Sequence, residues 1–197
     1  MDEKTIQTYN RLANEYDAET APFWGKFSRT FIEEFIKLTP GKVIDIGSGP
    51  GRDALILKQG GLDVVCLDAS ETMVSLCKRK GLRSVLGDFN EIPFENETFD
   101  GAWAYTSLLH IPKSEIEKPL KEIWRVLKAN GIIGLGLIEG DMEGYKEIGG
   151  MNVPRWFSFY KKEEIEKLLS KNGFELLYFE QFKPKLKNYL NFIARKV

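Results

Sequence analysis

Val43-Ile44-Asp45-Ile46-Gly47-Ser48-Gly49-Pro50-Gly51-Arg52-Asp53 runs an apolar, β-branched segment directly into a glycine-rich turn and then into a helical pattern. Val43 to Ile46 is apolar enough to be buried on both faces, as in a parallel sheet. Gly47, Gly49 and Gly51 stand at alternate positions, where missing Cβ atoms let backbone approach a ligand beside a helix N-terminus. The nearest general pattern is the dinucleotide fingerprint G-x-G-x-x-G, whose last glycine permits close helix packing and whose helix N-terminus holds a pyrophosphate. Here that last position is Arg52, and Asp45 lies in the strand just before the glycines. A carboxylate there repels a pyrophosphate and attracts an ammonium group, so the loop is expected to receive a cationic ligand.

Outward from this stretch one punctuation recurs five times: a helical pattern, a glycine, then a short β-branched run. The joins are Pro40-Gly41, Gly60-Gly61, Gly81, Asn130-Gly131 and Asn172-Gly173. Glycine just past a helix end takes the left-handed conformation without a Cβ penalty, so each join reads as a helix stop and a strand start. Alternation at this spacing predicts an α/β fold, a Rossmann-like doubly wound sheet with helices on both faces. Phe99 to Tyr105 is a further strand, and Ile116, Leu120, Ile123, Trp124 and Leu127 form one apolar helical stripe assigned to the core. The last strands, about 174–181 and 189–194, are close enough for an edge hairpin with Pro184 in its turn. Two helical patterns, 6–19 and 24–38, precede the sheet as an N-terminal helical cap. The expectation is a single domain over 1–197: cap 1–40, cofactor-binding core 41–138, an irregular substrate loop 139–160, and a C-terminal helix and hairpin 161–197.

Length and composition narrow the function. The 197 residues carry 28 Lys plus Arg against 29 Asp plus Glu. That balance argues against a nucleic-acid footprint, and the short basic runs Lys78-Arg79-Lys80 and Lys183, Lys185, Lys187 read as solvated faces. Cys66 and Cys77 show neither disulfide-framework nor metal spacing, and no apolar stretch reaches bilayer length. The expectations are a cytoplasmic protein with no integral membrane segment, no metal, a small-molecule partner, and a monomeric or homodimeric state.

Two acids complete the crevice. Asp68 ends the second strand, 19 residues beyond Gly49, where a carboxylate accepts both hydroxyls of a ribose. Leu86-Gly87-Asp88-Phe89 follows the third strand, where a carboxylate can accept from an exocyclic amine and an aromatic can stack on a base. Helix capping is the competing role for each acid alone, but three sites at the ends of three consecutive strands share one crevice.

Asp45-Ile46-Gly47-Ser48-Gly49-Pro50-Gly51, Asp68, Gly87-Asp88-Phe89, the Phe99-Asp100 strand leading to Leu108-Leu109-His110, and Arg125-Val126-Leu127-Lys128-Ala129-Asn130-Gly131 together resemble the ordered motifs of class I S-adenosylmethionine-dependent methyltransferases. The resemblance covers roughly 43–138 and is strongest to the small-molecule group that includes ubiquinone/menaquinone methyltransferase-like enzymes. It implies a seven-stranded, mostly parallel sheet with an antiparallel last strand, S-adenosyl-L-methionine as methyl donor and S-adenosyl-L-homocysteine as product. It also implies Asp45, Gly47 and Gly49 as the first-motif residues, Asp68 as the ribose acid, and Asp88 with Phe89 as the adenine pair. Ser48, Arg52, Ala69, Met73, Gly87 and Tyr105 complete the expected cofactor-contacting set.

The implied chemistry is in-line displacement of a sulfonium methyl by an acceptor O, N, S or C atom, for which alignment and desolvation supply much of the catalysis. Tyr9 and Tyr16, at i and i+7, are expected to cover the cofactor, where a ring facing a sulfonium gains about 0.5–2 kcal/mol, or else to pack in the core. His110, the only histidine, follows the fourth strand and is either a general base or a tether for its own loop. Arg52 and Arg155 either meet a carboxylate or form surface ion pairs. Trp24, His110, Tyr145, Arg155 and Trp156 are the candidate acceptor contacts, with Met151, Phe157 and Phe159 joining Tyr145 and Trp156 in an apolar roof or a satellite core. Ala104-Tyr105-Thr106-Ser107 stands where amide- and adenine-methylating relatives carry Asn or Asp before two prolines, which disfavours those substrates. An NAD(P)-dependent oxidoreductase and a non-catalytic nucleoside-binding regulator are the alternative readings.

Overall fold

The computed structural model describes residues 2–147, 153–184 and 187–197. The chain opens with four short helices, α1 (Glu3–Arg11), α2 (Ala13–Thr20), α3 (Phe23–Lys26) and α4 (Thr30–Leu38), where the pattern predicted two. Leu12, at φ −111° and ψ 22°, divides the first pair. In one straight helix Tyr9 and Tyr16 would stand about 10 Å apart along the axis. The break brings their rings edge to face with centroids 5.3 Å apart. Extended backbone at Phe27 divides the second pair, and the Ser28 hydroxyl receives the Thr30 N–H at the start of α4.

There follow β1 (Lys42–Ile46), α5 (Arg52–Gln59), β2 (Asp63–Asp68), α6 (Glu71–Arg79), β3 (Arg83–Leu86), β4 (Phe99–Tyr105), α7 (Glu117–Val126), β5 (Leu127–Ile138), β6 (Glu143–Lys146), β7 (Arg155–Ser158), α8 (Lys162–Lys171), β8 (Phe174–Phe182) and β9 (Tyr189–Lys196). The main sheet has seven strands in the order β3-β2-β1-β4-β5-β9-β8. Only β9 runs antiparallel to its neighbours, inserted between β5 and the edge strand β8. Strand alternation sends Ile44 and Ile46 to one side, against Leu120, Ile123 and Val126, while Val43 faces Phe31, Phe35 and Trp103 on the other. Both faces of β1 are thereby covered, as its composition requires.

Four of the five joins carry a left-handed glycine, Gly41, Gly61, Gly81 and Gly173. The fifth differs. Helix α7 ends at Val126, Leu127 already pairs with Phe99, and the left-handed residue is Asn130 at φ 61°. Asn tolerates that conformation because its short polar side chain bonds locally. Trp124 leaves the expected apolar stripe, being 38% exposed with the Lys196 ammonium 3.8 Å from its ring centroid; Val126 is buried in the stripe instead.

The segment 139–160 is not the irregular loop expected. Strands β6 and β7 pair antiparallel with Tyr145 opposite Trp156, their rings edge to face at 5.4 Å. Such aromatic cross-strand pairs stabilise a two-stranded ribbon. Met151 and Lys185 lie outside the described residues, as does part of the turn that follows Pro184. Among the described residues no helix is long and apolar enough to cross a membrane.

The sheet packs tightly where glycines replace side chains. A Cβ on Gly134 would stand 2.6 Å from the Trp103 ring and 2.9 Å from Phe35. Gly134→Ala is therefore expected to destabilise the fold by about 1–3 kcal/mol through overpacking. Urea unfolding checks this, and an unshifted midpoint would show that the aromatic layer yields without strain.

Candidate functional site

The connections from β1 run to one edge of the sheet and those from β4 to the other, so the strand order reverses between β1 and β4, and a crevice opens at their C-terminal ends. Gly47 and Gly49, at φ +64° and +53°, form one wall. The turn after β4 forms the other, so close that a Cβ on Gly47 would stand 2.4 Å from Ser107 Cβ. Thr106 bends that turn at φ 56°, a strained conformation for a β-branched residue and one concentrated at functional sites.

Asp68 reaches the crevice from the end of β2. Its Oδ2 accepts the Gly49 N–H and its Oδ1 the Ser70 N–H, both at 2.8 Å. Burial raises its pKa to about 6 against these backbone bonds, including one from Ala69. Met73, held in the core by the Ser70-capped start of α6, lines the same crevice. Asp45, 2% exposed, keeps Oδ2 without a hydrogen-bond partner, and burial first, then the Asp53 charge, push its carboxyl well above the usual range.

Asp53 was not read from the sequence as a site residue. Its Oδ1 accepts from Trp24 Nε1 and Arg52 Nε, both at 2.6 Å, and its Oδ2 accepts from Trp103 Nε1 at 3.0 Å and Arg52 Nη2 at 3.1 Å. Burial works to raise its pKa, but the Arg52 charge and these donors hold it below the ordinary carboxylate value. Arg52 is thus no surface ion pair: it lies inward, its guanidinium 4.8 Å from the Phe23 ring centroid and 5.7 Å from Tyr105. Two tryptophans needing acceptors and an acid directly after an arginine were the signals for this cluster.

A second polar chain crosses the cap. Arg155 Nη1–H donates to the Tyr9 hydroxyl at 2.8 Å. His110 Nδ1 lies 2.6 Å from the Trp156 carbonyl, which only accepts, so Nδ1 carries the proton and Nε2 receives the Tyr9 O–H at 2.8 Å. Burial, aided by the Arg155 charge, lowers the His110 pKa to about 3 despite the carbonyl bond. A neutral histidine with both nitrogens engaged ties the turn after β4 to β7 and to the cap. That geometry is the one expected of a tether.

Tyr9, Tyr16, Arg52, Tyr105 and His110 line both the crevice, of about 50 Å³, and a larger adjoining cavity of about 550 Å³. Thr20, Phe23, Phe27, Lys187 and Tyr189 also line the larger one and escaped the sequence reading, because three separate connections bring them together. The structure does not bring every expected residue here. Phe89, 3% exposed, packs in the main core, and Asp88 Oδ1 accepts the Asn90 N–H; neither they nor Gly87 line the crevice. Trp24 is buried behind the cavity as a donor to Asp53. Tyr145 is exposed and donates to Asp2, the N-cap of α1, while the Trp156 N–H donates to Thr5. These two aromatics dock the cap on the ribbon and do not line the cavity; among the described residues of that ribbon Arg155 and Phe157 reach it.

Residues 44–135 match the family model described as a methyltransferase domain. A Methanocaldococcus jannaschii protein of uncharacterized function is 27% identical over 233 residues, covering 96% of this chain and 89% of that protein. Squalene methyltransferase 1 of Botryococcus braunii is 36% identical over 110 residues, 50% of this chain and 28% of that enzyme, so the chain spans well under half of that relative's length. In structure, the Burkholderia thailandensis 1,6-didemethyltoxoflavin-N1-methyltransferase, solved with 1,6-didemethyltoxoflavin and S-adenosylhomocysteine, superposes with a TM-score of 0.75 at 22% identity over 98% of this chain and 85% of that one. The matched segment runs from β1 into β5, and the seven-stranded sheet with its one antiparallel strand is a fold shared with that methyltransferase.

Removing Asp53 strands a guanidinium and two indole N–H groups. Asp53→Ala is expected to destabilise the fold by about 3–5 kcal/mol, as when one partner of a buried ion pair is deleted. Chemical denaturation measures it, and a loss below 1 kcal/mol would show that solvent replaces the carboxylate.

Proposed function

We propose that this protein transfers the methyl group of S-adenosylmethionine, bound in the crevice between β1 and β4, to a small molecule held in the larger cavity. The observation that carries the reading is Asp45, a buried carboxylate with an unpartnered oxygen beside the glycine loop. A ligand bearing an ammonium or sulfonium charge would satisfy it, whereas the pyrophosphate of a nicotinamide cofactor would add a like charge. Asp68, fixed by two backbone N–H groups, retains lone pairs for a ribose diol. Tyr9 and Tyr16 narrow the crevice, and admitting a nucleoside requires them to move apart, since ligand pockets measure about 300–1,000 Å³. The walls shared by crevice and cavity support a methyl group directed toward the larger cavity, whose aromatic rings would exclude water from the transfer.

Calorimetry with S-adenosylhomocysteine and with NAD separates this reading from an oxidoreductase, and labelled-methyl transfer into a metabolite extract separates it from a non-catalytic binder. Tight NAD binding with no response to the thioether would overturn it. Asp68→Ala is expected to weaken S-adenosylhomocysteine about 10- to 100-fold, the loss of a charged acceptor of about 1.5–3 kcal/mol.

Because binding favours the ionised carboxylate, and the folded pKa of Asp68 is about 6, affinity should be full above pH 6 and decline as pH falls through it. A titration series from pH 8 to 5 reads this; a flat profile would remove Asp68 from the cofactor contacts.

A further inference from the structure

The larger cavity has a distinctive charge arrangement. Its walls are mostly apolar or aromatic, with Phe23, Phe27, Leu109, Ile138, Phe157 and Tyr189 among them. Among the described residues four cationic side chains line it: Lys26 on α3, Arg52 on α5, Arg155 on β7, and Lys187 just before β9. Arg52 is neutralised by Asp53. Glu19 on α2 is the one other carboxylate among the described residues that line it. Lys187 is half-buried and forms no hydrogen bond or ion pair with the described residues. Its ammonium is held below the ordinary lysine pKa, by burial first and then by the Arg155 charge, with Glu19 opposing. Arg155 is 5% exposed and anchored through Nη1 to Tyr9, so its guanidinium has a fixed position in the wall.

Two like charges brought together in a low-dielectric cavity repel one another, and the arrangement is relieved when an anion lies between them. We infer that the acceptor is a carboxylic acid with an apolar or aromatic body, its carboxylate bound by Arg155 and Lys187 and its body lying against the aromatic walls. Arg155 offers the planar fork that suits a carboxylate, and Lys187 a compact charge on a flexible stem. This rests on the methyl-transfer reading and adds the substrate class to it.

The test is calorimetry on the full chain saturated with S-adenosylhomocysteine, using three probes of one shape: 2-naphthoate, 2-naphthamide and 2-naphthylmethylamine. The carboxylate is expected to bind about 10- to 100-fold more tightly than the amide, the range for a hydrogen bond to a charged group, and the amine to bind weakest. Lys187→Gln should remove most of the carboxylate-over-amide preference, and Lys187→Arg should restore it. Lys187 bonds no described residue, so its replacement tests the cavity without loosening the fold. Equal binding of carboxylate and amide, tighter binding of the amine, or an unchanged preference in Lys187→Gln would each overturn the inference. Failure of the chain to bind S-adenosylhomocysteine would instead strike the methyl-transfer reading, since that titration is run first and alone.

Discussion

The carboxylate of Asp53 is the point on which the arrangement of the site depends. Four donors from three parts of the chain converge on it: the Trp24 indole from the cap, the Trp103 indole from the middle of β4, and two nitrogens of Arg52 at the start of α5. A lone buried carboxylate would be neutralised or expelled, and here every lone-pair direction that matters is filled by a directed N–H. Because the donors are rigid rings and a guanidinium stacked among aromatics, the bonds fix positions as well as charge. Cap, sheet and glycine loop are thus registered against one another at the mouth of the crevice. Asp45, eight residues earlier and equally buried, lacks such donors, and this contrast between neighbouring acids separates a structural carboxylate from a binding one.

The cap is held at both ends of the site by different chemistry. Asn10 on α1 accepts from the Ser70 hydroxyl and the Thr72 N–H, next to the ribose acid. Thr5 and Tyr9 on the same helix bond Trp156 and Arg155 of the ribbon. One short helix therefore spans from the crevice to the larger cavity, and its Tyr9 ring belongs to both walls. His110 completes this lattice as a neutral, doubly bonded ring. Under the methyl-transfer reading proposed above, such a site would contribute alignment and exclusion of water.

Much of the architecture was legible because local chemistry dictates it. The apolar Val43–Ile46 run, the left-handed glycines at Gly41, Gly61, Gly81 and Gly173, and the strand Phe99–Tyr105 are each specified by a few adjacent residues. So were the crevice positions of Asp45, Gly47, Gly49 and Asp68, which follow from strand ends in a doubly wound sheet. The substrate side was not legible. Tyr145 and Trp156 were expected to face it because they are aromatic and lie in a long connection, but strand alternation turned Arg155 and Phe157 inward and Trp156 outward. Phe89 offered a ring at the right place in the chain, yet neighbouring Leu67 and Ile92 buried it. Lys187 acquires its meaning from groups more than thirty residues away, and Asp53 in part from Trp24 and Trp103, 29 and 50 residues away, which no local pattern carries.

The contact between Gly47 and Ser107 joins two loops sixty residues apart in the chain. A methyl group at position 47 would collide with a side chain of the protein before it met any ligand. The glycine is thus selected twice, once by the crevice it borders and once by the neighbouring turn, and the two demands share a single atom's worth of space. A chain that lost the glycine would need to rebuild the turn after β4 as well. Loss of ligand binding in a Gly47 variant would therefore report on loop packing as much as on recognition, and the motif most often taken as a signature of cofactor binding doubles here as the hinge pin of the fold.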